Sequence, residues 1–367
     1  MLILLAAGLL ISSLACSAAL TAIAKRVAPR IGLVAYPKAD RYHRSIIPLG
    51  GGIAIFGTLA LFLAGGAAVI LSSGGHFWVD VLIGRFGAYH ANVLHHTNEL
   101  LTILLCATIL FLVGLWDDKR ALGPFIKLVL QFVVAFLAAW LGDVRVEFFI
   151  ENRLVTSVLS AFWIVLLVNA FNFLDNMDGA SAGIAAIVSA VLLTAAAFNG
   201  QIFVGGLAIV FIGALLGFLL FNFPPASIFM GDAGSLVVGF FVALLTLRTD
   251  YYHQAQSGAW YPVLLPLIAV AVPLYDFASV MLLRISQGKN PLVGDTQHFS
   301  HRLRRRGLTD RQTALTLYLA TLCTGLGATF LYQVNLVGAI LIVIQTCLIL
   351  AIIGVFETTV RNDQKTH

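Results

Sequence analysis

Apolar runs of about twenty residues recur along this 367-residue chain, and they restrict its fold more than any motif does. A helix needs about 20 such residues to cross a hydrocarbon layer of roughly 30 Å, and within lipid only helices and closed barrels satisfy their own backbone polar groups. Eleven runs qualify, at about 2–24, 47–72, 99–116, 124–141, 155–173, 181–198, 202–221, 235–248, 261–284, 313–332 and 335–356. The loops joining them are mostly too short to fold alone. The expectation is therefore an all-α polytopic integral membrane protein of about 11 transmembrane helices, forming one domain over residues 1–367. A mean hydropathy of +0.95 and a charged fraction of 11% exclude an ordinary soluble domain. The run at 235–248 is the shortest, and losing it would invert everything after it.

Basic residues orient the bundle. The first run has no basic residue before it and Lys25 and Arg26 behind it, which predicts a retained span with its N-terminus outside. On that topology 18 of the 22 Lys and Arg residues fall on the cytoplasmic side, leaving Arg85, Arg145, Arg153 and Arg248 outside. This bias supports both the number and the parity of the spans. The cytoplasmic loops then lie at about 25–46, 117–123, 174–180, 222–234 and 285–312. The net charge of +5 becomes a property of one face, suited to lipid headgroups or an anionic substrate, and nothing in the pattern indicates a nucleic acid. Asp117, Asp118, Asp175, Asp178, Asp232 and Asp295 fall on the same side. Acids and bases together suit a polyanion with a cation, because Mg²⁺ takes oxygen ligands and shares them with substrate phosphates. Cys16, Cys106, Cys323 and Cys347 sit inside apolar runs without CxxC spacing, as packing residues rather than a disulfide or metal set.

The sharpest cluster is NAFNFLDNMDG, residues 169–179, where Asn and Asp follow directly on an apolar run. Carboxylates at a membrane boundary are costly to keep and indicate function. Asn169, Asn172 and Asn176 supply amide donors or ligands, and spacing of three places Asn172, Asp175 and Asp178 on one helix face, aimed at one bound group. In WDDKR, Asp117 and Asp118 hold a metal, accept a proton or form a solvated helix end. Lys127 in GPFIKLVLQ either contacts phosphate or snorkels to the headgroups. FMGDAGS precedes a helix whose N-terminal amides suit a phosphate, and Asp232 within it is a metal ligand or an N-cap. His298 and His301 stand at HxxH spacing among Arg302, Arg304, Arg305 and Arg306, without a third His or Cys nearby. That loop fits diphosphate better than zinc, although its arginines also serve as a topology signal. His43 and Arg44 in DRYHRSIIPLGGG contact phosphate or are simply topogenic, and the patch His76, His90, His95 and His96 on the other face reads as an ordinary loop.

Taken in order, these five loops resemble the polyprenyl-phosphate N-acetylhexosamine-1-phosphate transferase family, over about 40–307. The resemblance places Asp117 and Asp118 in the paired-aspartate motif, with Lys127 at the basic position after it. Asn172, Asp175 and Asp178 fall in NxxNxxDGxDG, Asp232 in the GD loop, and His298 and His301 in the histidine motif. It implies that Asp232 with Asn172 binds Mg²⁺, or Mn²⁺ in its place, that Asp178 lies near the uridine, and that the histidine-arginine loop holds diphosphate and sugar. Two departures stand out: Asn176 replaces a frequent Gly, and Ser300 interrupts a fuller histidine cluster. The HxxHRL form is similar to the GlcNAc-1-phosphate branch more than to the phospho-MurNAc-pentapeptide translocase.

The activity so implied moves a sugar-1-phosphate from a UDP-N-acetylhexosamine to undecaprenyl phosphate on the cytoplasmic face of a bacterial inner membrane, with UMP released. Asp117 or Asp118 would deprotonate or orient the lipid phosphate, and a homodimer is the oligomeric expectation. The rival classes are a phospho-MurNAc-pentapeptide transferase, a secondary transporter, whose site would lie near the midplane on broken helices, and a nonenzymatic scaffold, which leaves the motif loops unexplained. Asp276 is the main carboxylate placed within a span.

Overall fold

A computed structural model of the chain describes residues 2–36, 46–72, 87–146, 150–251, 259–288, 302–303 and 307–358. Its helices are α1 (Leu2–Val27), α2 (Gly51–Ser72), α3 (Gly87–Lys119), α4 (Pro124–Leu141), α5 (Arg153–Leu174), α6 (Ala180–Phe198), α7 (Ile202–Asn222), α8 (Asp232–Arg248), α9 (Leu265–Ala269), α10 (Ala271–Ser286), α11 (Asp310–Thr329) and α12 (Leu336–Thr358). Strands β1 (Val34–Ala35) and β2 (Ile47–Pro48) pair antiparallel, Val34 with Pro48 and Ala35 with Ile47. Among the described residues nine helices are long and apolar enough to cross a membrane, and the segment through α9 and α10 is long and apolar enough only as a pair, bent by 62°. These correspond to ten of the eleven expected runs. Pairing of β2 with β1 delays the start of α2 to Gly51, past the expected residue 47.

The eleventh is α8, only 17 residues long. Its N-terminal end meets Asp118 of α3, while at its other end Arg248 Nη2 donates to Glu99 Oε2 of α3 at 2.7 Å. The 19 residue steps from Glu99 to Asp118 cover about 28 Å at 1.5 Å each, so α8 runs antiparallel to α3 through the same thickness. A helix this short crosses because protein, rather than lipid, surrounds it. Fourteen of its seventeen residues are buried, Phe240 and Phe241 among them. Such all-round burial is what a helix apolar on every face requires. Gly114 of α3 allows the approach: a Cβ there would lie 2.5 Å from Ala233 Cα and from the Asp232 carbonyl oxygen.

Packing against α7 follows the opposite polarity from that of a soluble helix. The buried residues of α1 are Ser13, Ser17, Thr21 and Ala24, whereas Ile3, Leu4, Ile11 and Ile23 are exposed. In lipid no apolar driving force separates the two faces, so small residues that permit close approach line the helix contact. Ser17 Oγ donates to the Ala214 carbonyl at 2.6 Å, and a Cβ on Gly213 would sit 1.9 Å from Ser13 Oγ. All four cysteines are free thiols, Cys106 buried and Cys323 and Cys347 exposed on the helix surface.

At the Arg248 end the helices are laced together. Gln201 Nε2 donates to the Arg248 carbonyl at 3.0 Å, and the Asp250 N–H donates to Gln201 Oε1 at 2.8 Å. Tyr332 donates its hydroxyl to the Asp250 carbonyl at 3.0 Å, and Asn199 Nδ2 donates to that hydroxyl oxygen at 3.1 Å. The α6–α7 turn, the α8 terminus and the end of α11 are thereby one unit.

Gly213→Leu forces α1 and α7 apart, because the clash is with backbone and a short side chain. The expected loss is about 1–3 kcal/mol, read as a lower thermal unfolding midpoint in detergent. Gly8→Ala, where a Cβ meets nothing within 4 Å and Ala is the better helix former, does not lower the midpoint.

Candidate active site

The chain turns sharply between α3 and α4, and that turn creates a charged cluster. The Leu122 N–H donates to Asp117 Oδ1 at 2.5 Å, closing the turn, and Pro124 then opens α4 at a position where its missing N–H costs nothing. Lys127, one turn into α4, directs its ammonium inward. Nζ donates to Asp117 Oδ2 at 2.9 Å and also to Asp232 Oδ2, with only 14% of the lysine side chain exposed. Lys127 is thus the centre of an ion triad and does not snorkel to the headgroups.

Asp118, its neighbour, does different work. Its Oδ1 accepts the Asp232 N–H at 2.8 Å and its Oδ2 accepts the Ala233 N–H at 3.1 Å, so a carboxylate of α3 caps the first two amides of α8. A negative charge at this end also complements the helix dipole. Gly231, the residue before α8, has φ of +71°, and a Cβ there would lie 2.6 Å from Asp118 Oδ2. Both facts require glycine. Two sequence expectations change here. Asp232 is the first residue of α8 and does not cap it, and the leading amides that suited a phosphate are occupied by Asp118. Freed from capping, the Asp232 side chain turns to Lys127 and Asn172.

Asn172 Nδ2 donates to Asp232 Oδ1 at 3.1 Å and to Ser235 Oγ at 2.7 Å, which spends its N–H groups and leaves the amide oxygen. Ser235 is fully buried, one helical turn after Asp232. One turn deeper, Asn169 Nδ2 donates to Gln131 Oε1 at 2.6 Å, tying α5 to α4 below Lys127. The expected convergence of Asn172, Asp175 and Asp178 on one helix face is not found. α5 ends at Leu174, with Asp175 closing it through N–H bonds to the Asn172 and Phe171 carbonyls. Asn176 Nδ2 bonds the Phe173 carbonyl at 2.6 Å, and Asp178 Oδ2 accepts the Ala226 N–H at 2.8 Å. Asn176 and Asp178 thus bond loop backbone, while Asn172 reaches Asp232.

Behind them, buried Asn222 accepts the Gly179 N–H at 2.9 Å and donates to the Ile228 carbonyl at 2.9 Å. Tyr318 donates to the Gly179 carbonyl at 2.6 Å, and Arg311 Nε donates to the Pro224 carbonyl at 2.8 Å. The loops before α6 and α8 are therefore braced by α7 and α11. Arg302 Nη2 donates to Ser279 Oγ at 2.8 Å, and Arg284, 1% exposed, stacks over Phe173 at 4.9 Å. Asp276 is buried in α10. His43, Arg44, His298, His301 and Arg304 lie outside the described residues.

Sequence reading missed Gln131, Asn222, Ser235 and Arg284. Helical spacing was the available signal for two of them, since Gln131 follows Lys127 by four residues and Ser235 follows Asp232 by three.

Among the described residues no three His, Cys, Asp or Glu side chains form a cage for a metal ion, and both oxygens of Asp118 accept amides of α8. What converges is two carboxylates, Asp117 and Asp232, on one cationic nitrogen, with the amide of Asn172 on Asp232. Few carboxylates in a hard oxygen environment fit Mg²⁺ shared with substrate phosphates, and do not fit zinc.

A multi-pass helical protein with an acid, base and amide cluster at one end of the bundle is the class this geometry defines. Residues 100–250, which span α3 to α8 and hold the whole triad, match the profile of "Glycosyl transferase family 4". A Bacillus subtilis (strain 168) protein named "Probable undecaprenyl-phosphate N-acetylglucosaminyl 1-phosphate transferase" is 31% identical over 308 residues, 82% of this chain and 77% of that relative. Proteins of Salmonella typhi and Yersinia pestis named undecaprenyl-phosphate alpha-N-acetylglucosaminyl 1-phosphate transferase are 29% and 27% identical, over 85% and 90% of this chain and 80% and 83% of their own lengths. The chain belongs to the family of these transferases.

Asp118→Asn presents one acceptor where two are needed and sets an amide NH₂ against a backbone N–H. Stability is expected to fall by about 1–3 kcal/mol. Asp117→Asn, whose lysine keeps Asp232, is expected to lose less; thermal unfolding of the two variants side by side checks the order.

Proposed function

We propose that the protein transfers N-acetylglucosamine-1-phosphate from UDP-N-acetylglucosamine to undecaprenyl phosphate, at the cytoplasmic face of a bacterial inner membrane. The products are the polyprenyl-diphosphate sugar and UMP, and the reaction initiates synthesis of an envelope polysaccharide. The observation that carries this reading is the meeting of Asp117, Lys127, Asn172 and Asp232 at one end of the bundle. There a soluble nucleotide arrives from water and a lipid phosphate from the leaflet.

An oxygen of the lipid phosphate attacks the sugar-bearing phosphorus, and the bond to the UMP oxygen breaks in line. Phosphoryl transfer of this kind asks the protein for position and charge rather than for a covalent partner. Asp117 is the candidate to orient the attacking phosphate or take its proton, since its Oδ2 is held by the flexible Lys127 side chain, whereas both oxygens of Asp118 are held by backbone amides of α8. Lys127 supplies positive charge beside the diphosphate. Asp232 and Asn172 would hold Mg²⁺, or Mn²⁺, which supplies charge neutralisation on the diphosphate.

The lacing of the opposite end argues against a transporter, which must open both faces in turn around a midplane site. The names of the relatives favour the GlcNAc branch over the pentapeptide translocase.

Purified protein given undecaprenyl phosphate, Mg²⁺ and radiolabelled UDP-GlcNAc should yield labelled lipid and UMP in equal amounts. Asp232→Asn should lower the rate roughly 100-fold or more, as expected for loss of a charge-stabilising group. Full activity in that variant would place the site elsewhere, and no UMP from any of a panel of UDP-sugars would remove the enzyme class.

A further inference from the structure

The ion triad joins two acids to one base. Asp117 Oδ2 and Asp232 Oδ2 both face Lys127 Nζ, and the ammonium sits between carboxylates from two different helices. A divalent cation that used Asp232 would need the same carboxylate, and it would carry two positive charges to within a few ångströms of the lysine. Like charges that close in a partly buried site repel strongly, so ammonium and metal compete for Asp232. The lysine is nevertheless free to leave it. Its four-carbon stem is flexible, it stands in the first turn of α4, and its charge suits a phosphate as well as a carboxylate.

We infer that Lys127 is an exchangeable counter-ion: it neutralises Asp117 and Asp232 until a divalent cation takes Asp232, whereupon its ammonium moves to an oxygen of the incoming diphosphate. The inference rests on the proposed cation site and adds an order to its filling. With the lysine in place its charge offsets that of the carboxylates, which weakens their pull on a free divalent ion. A diphosphate supplies both the missing negative charge and a new partner for the lysine. Cation and nucleotide therefore bind together, each strengthening the other, and the coupling runs through Lys127. Reciprocal strengthening of this kind is a linkage between two ligands and is measurable from either side.

The test uses the full chain in detergent and follows Mn²⁺ binding by electron paramagnetic resonance, with and without UDP and with the solution Mn–UDP complex accounted for. Wild-type protein should bind Mn²⁺ weakly alone and roughly tenfold or more tightly with UDP. Lys127→Gln and the apolar Lys127→Met should bind Mn²⁺ alone roughly tenfold or more tightly than wild type and lose most of the gain from UDP. Lys127→Arg, which retains the charge, should bind Mn²⁺ no more tightly than wild type, and it keeps the test open if the neutral variants do not fold. Equal or weaker binding in the neutral variants, with Asp232→Asn still abolishing it, overturns the exchange alone. So does a gain in Lys127→Arg. If no variant binds Mn²⁺, or Lys127→Gln combined with Asp232→Asn binds as tightly as Lys127→Gln, the cation site itself is wrong and the exchange falls with it.

Discussion

A single carboxylate holds the architecture and the chemistry in register. Asp118, at the end of α3, accepts the first two backbone N–H groups of α8, and those amides are ones a helix cannot satisfy by itself. Because an acid on another helix performs the capping, Asp232 can open α8 and still direct its side chain into the site. Without that division of labour the residue best placed to face Lys127 would be turned back on its own backbone. The cap also sets the depth of α8 relative to α3, and Arg248 with Glu99 sets it again at the far end.

Around this axis the bundle is built by close approach rather than by bulk. Gly114 and Gly231 admit α8 to its neighbours, while the loops before α6 and α8 are braced through Asn222, Tyr318 and Arg311. The consequence is asymmetric. One end carries hydrogen bonds among Gln201, Asn199, Tyr332 and Asp250 that tie helices together, and the other carries Lys127 between two acids. An end whose charges are balanced against one another by a long, flexible lysine is able to exchange partners, whereas the laced end is not.

Adjacent aspartates in WDDKR looked equivalent in sequence, yet one faces a lysine and the other a helix terminus. The distinction depends on where α8 begins, 114 residues later in the chain. The motif NAFNFLDNMDG was legible as a site because so many polar groups followed an apolar run. Its internal geometry was not legible, because helical spacing holds only while the helix lasts, and α5 stops at Leu174. Asn172 therefore joins Asp232, while Asn176 and Asp178 bond loop backbone beyond the helix end. Buried Asn222 carried no sign at all; a lone Asn at a helix end is indistinguishable from a loop residue until its partners are seen.

From sequence alone came the membrane-spanning runs and the side on which charge accumulates. Both follow to first order from the properties of single residues against a fixed surrounding: apolar length suits a lipid layer, and Lys and Arg collect in loops on one side. The family followed from the order of the motif loops. Tertiary structure decided that the shortest run is the central helix, that Lys127 points inward, and that Asp118 caps α8 while Asp117 pairs with Lys127. These are pairwise matters of distance between groups far apart in the chain. A carboxylate's role is set by which donor stands within about 3 Å of it, and only the packed helices determine that.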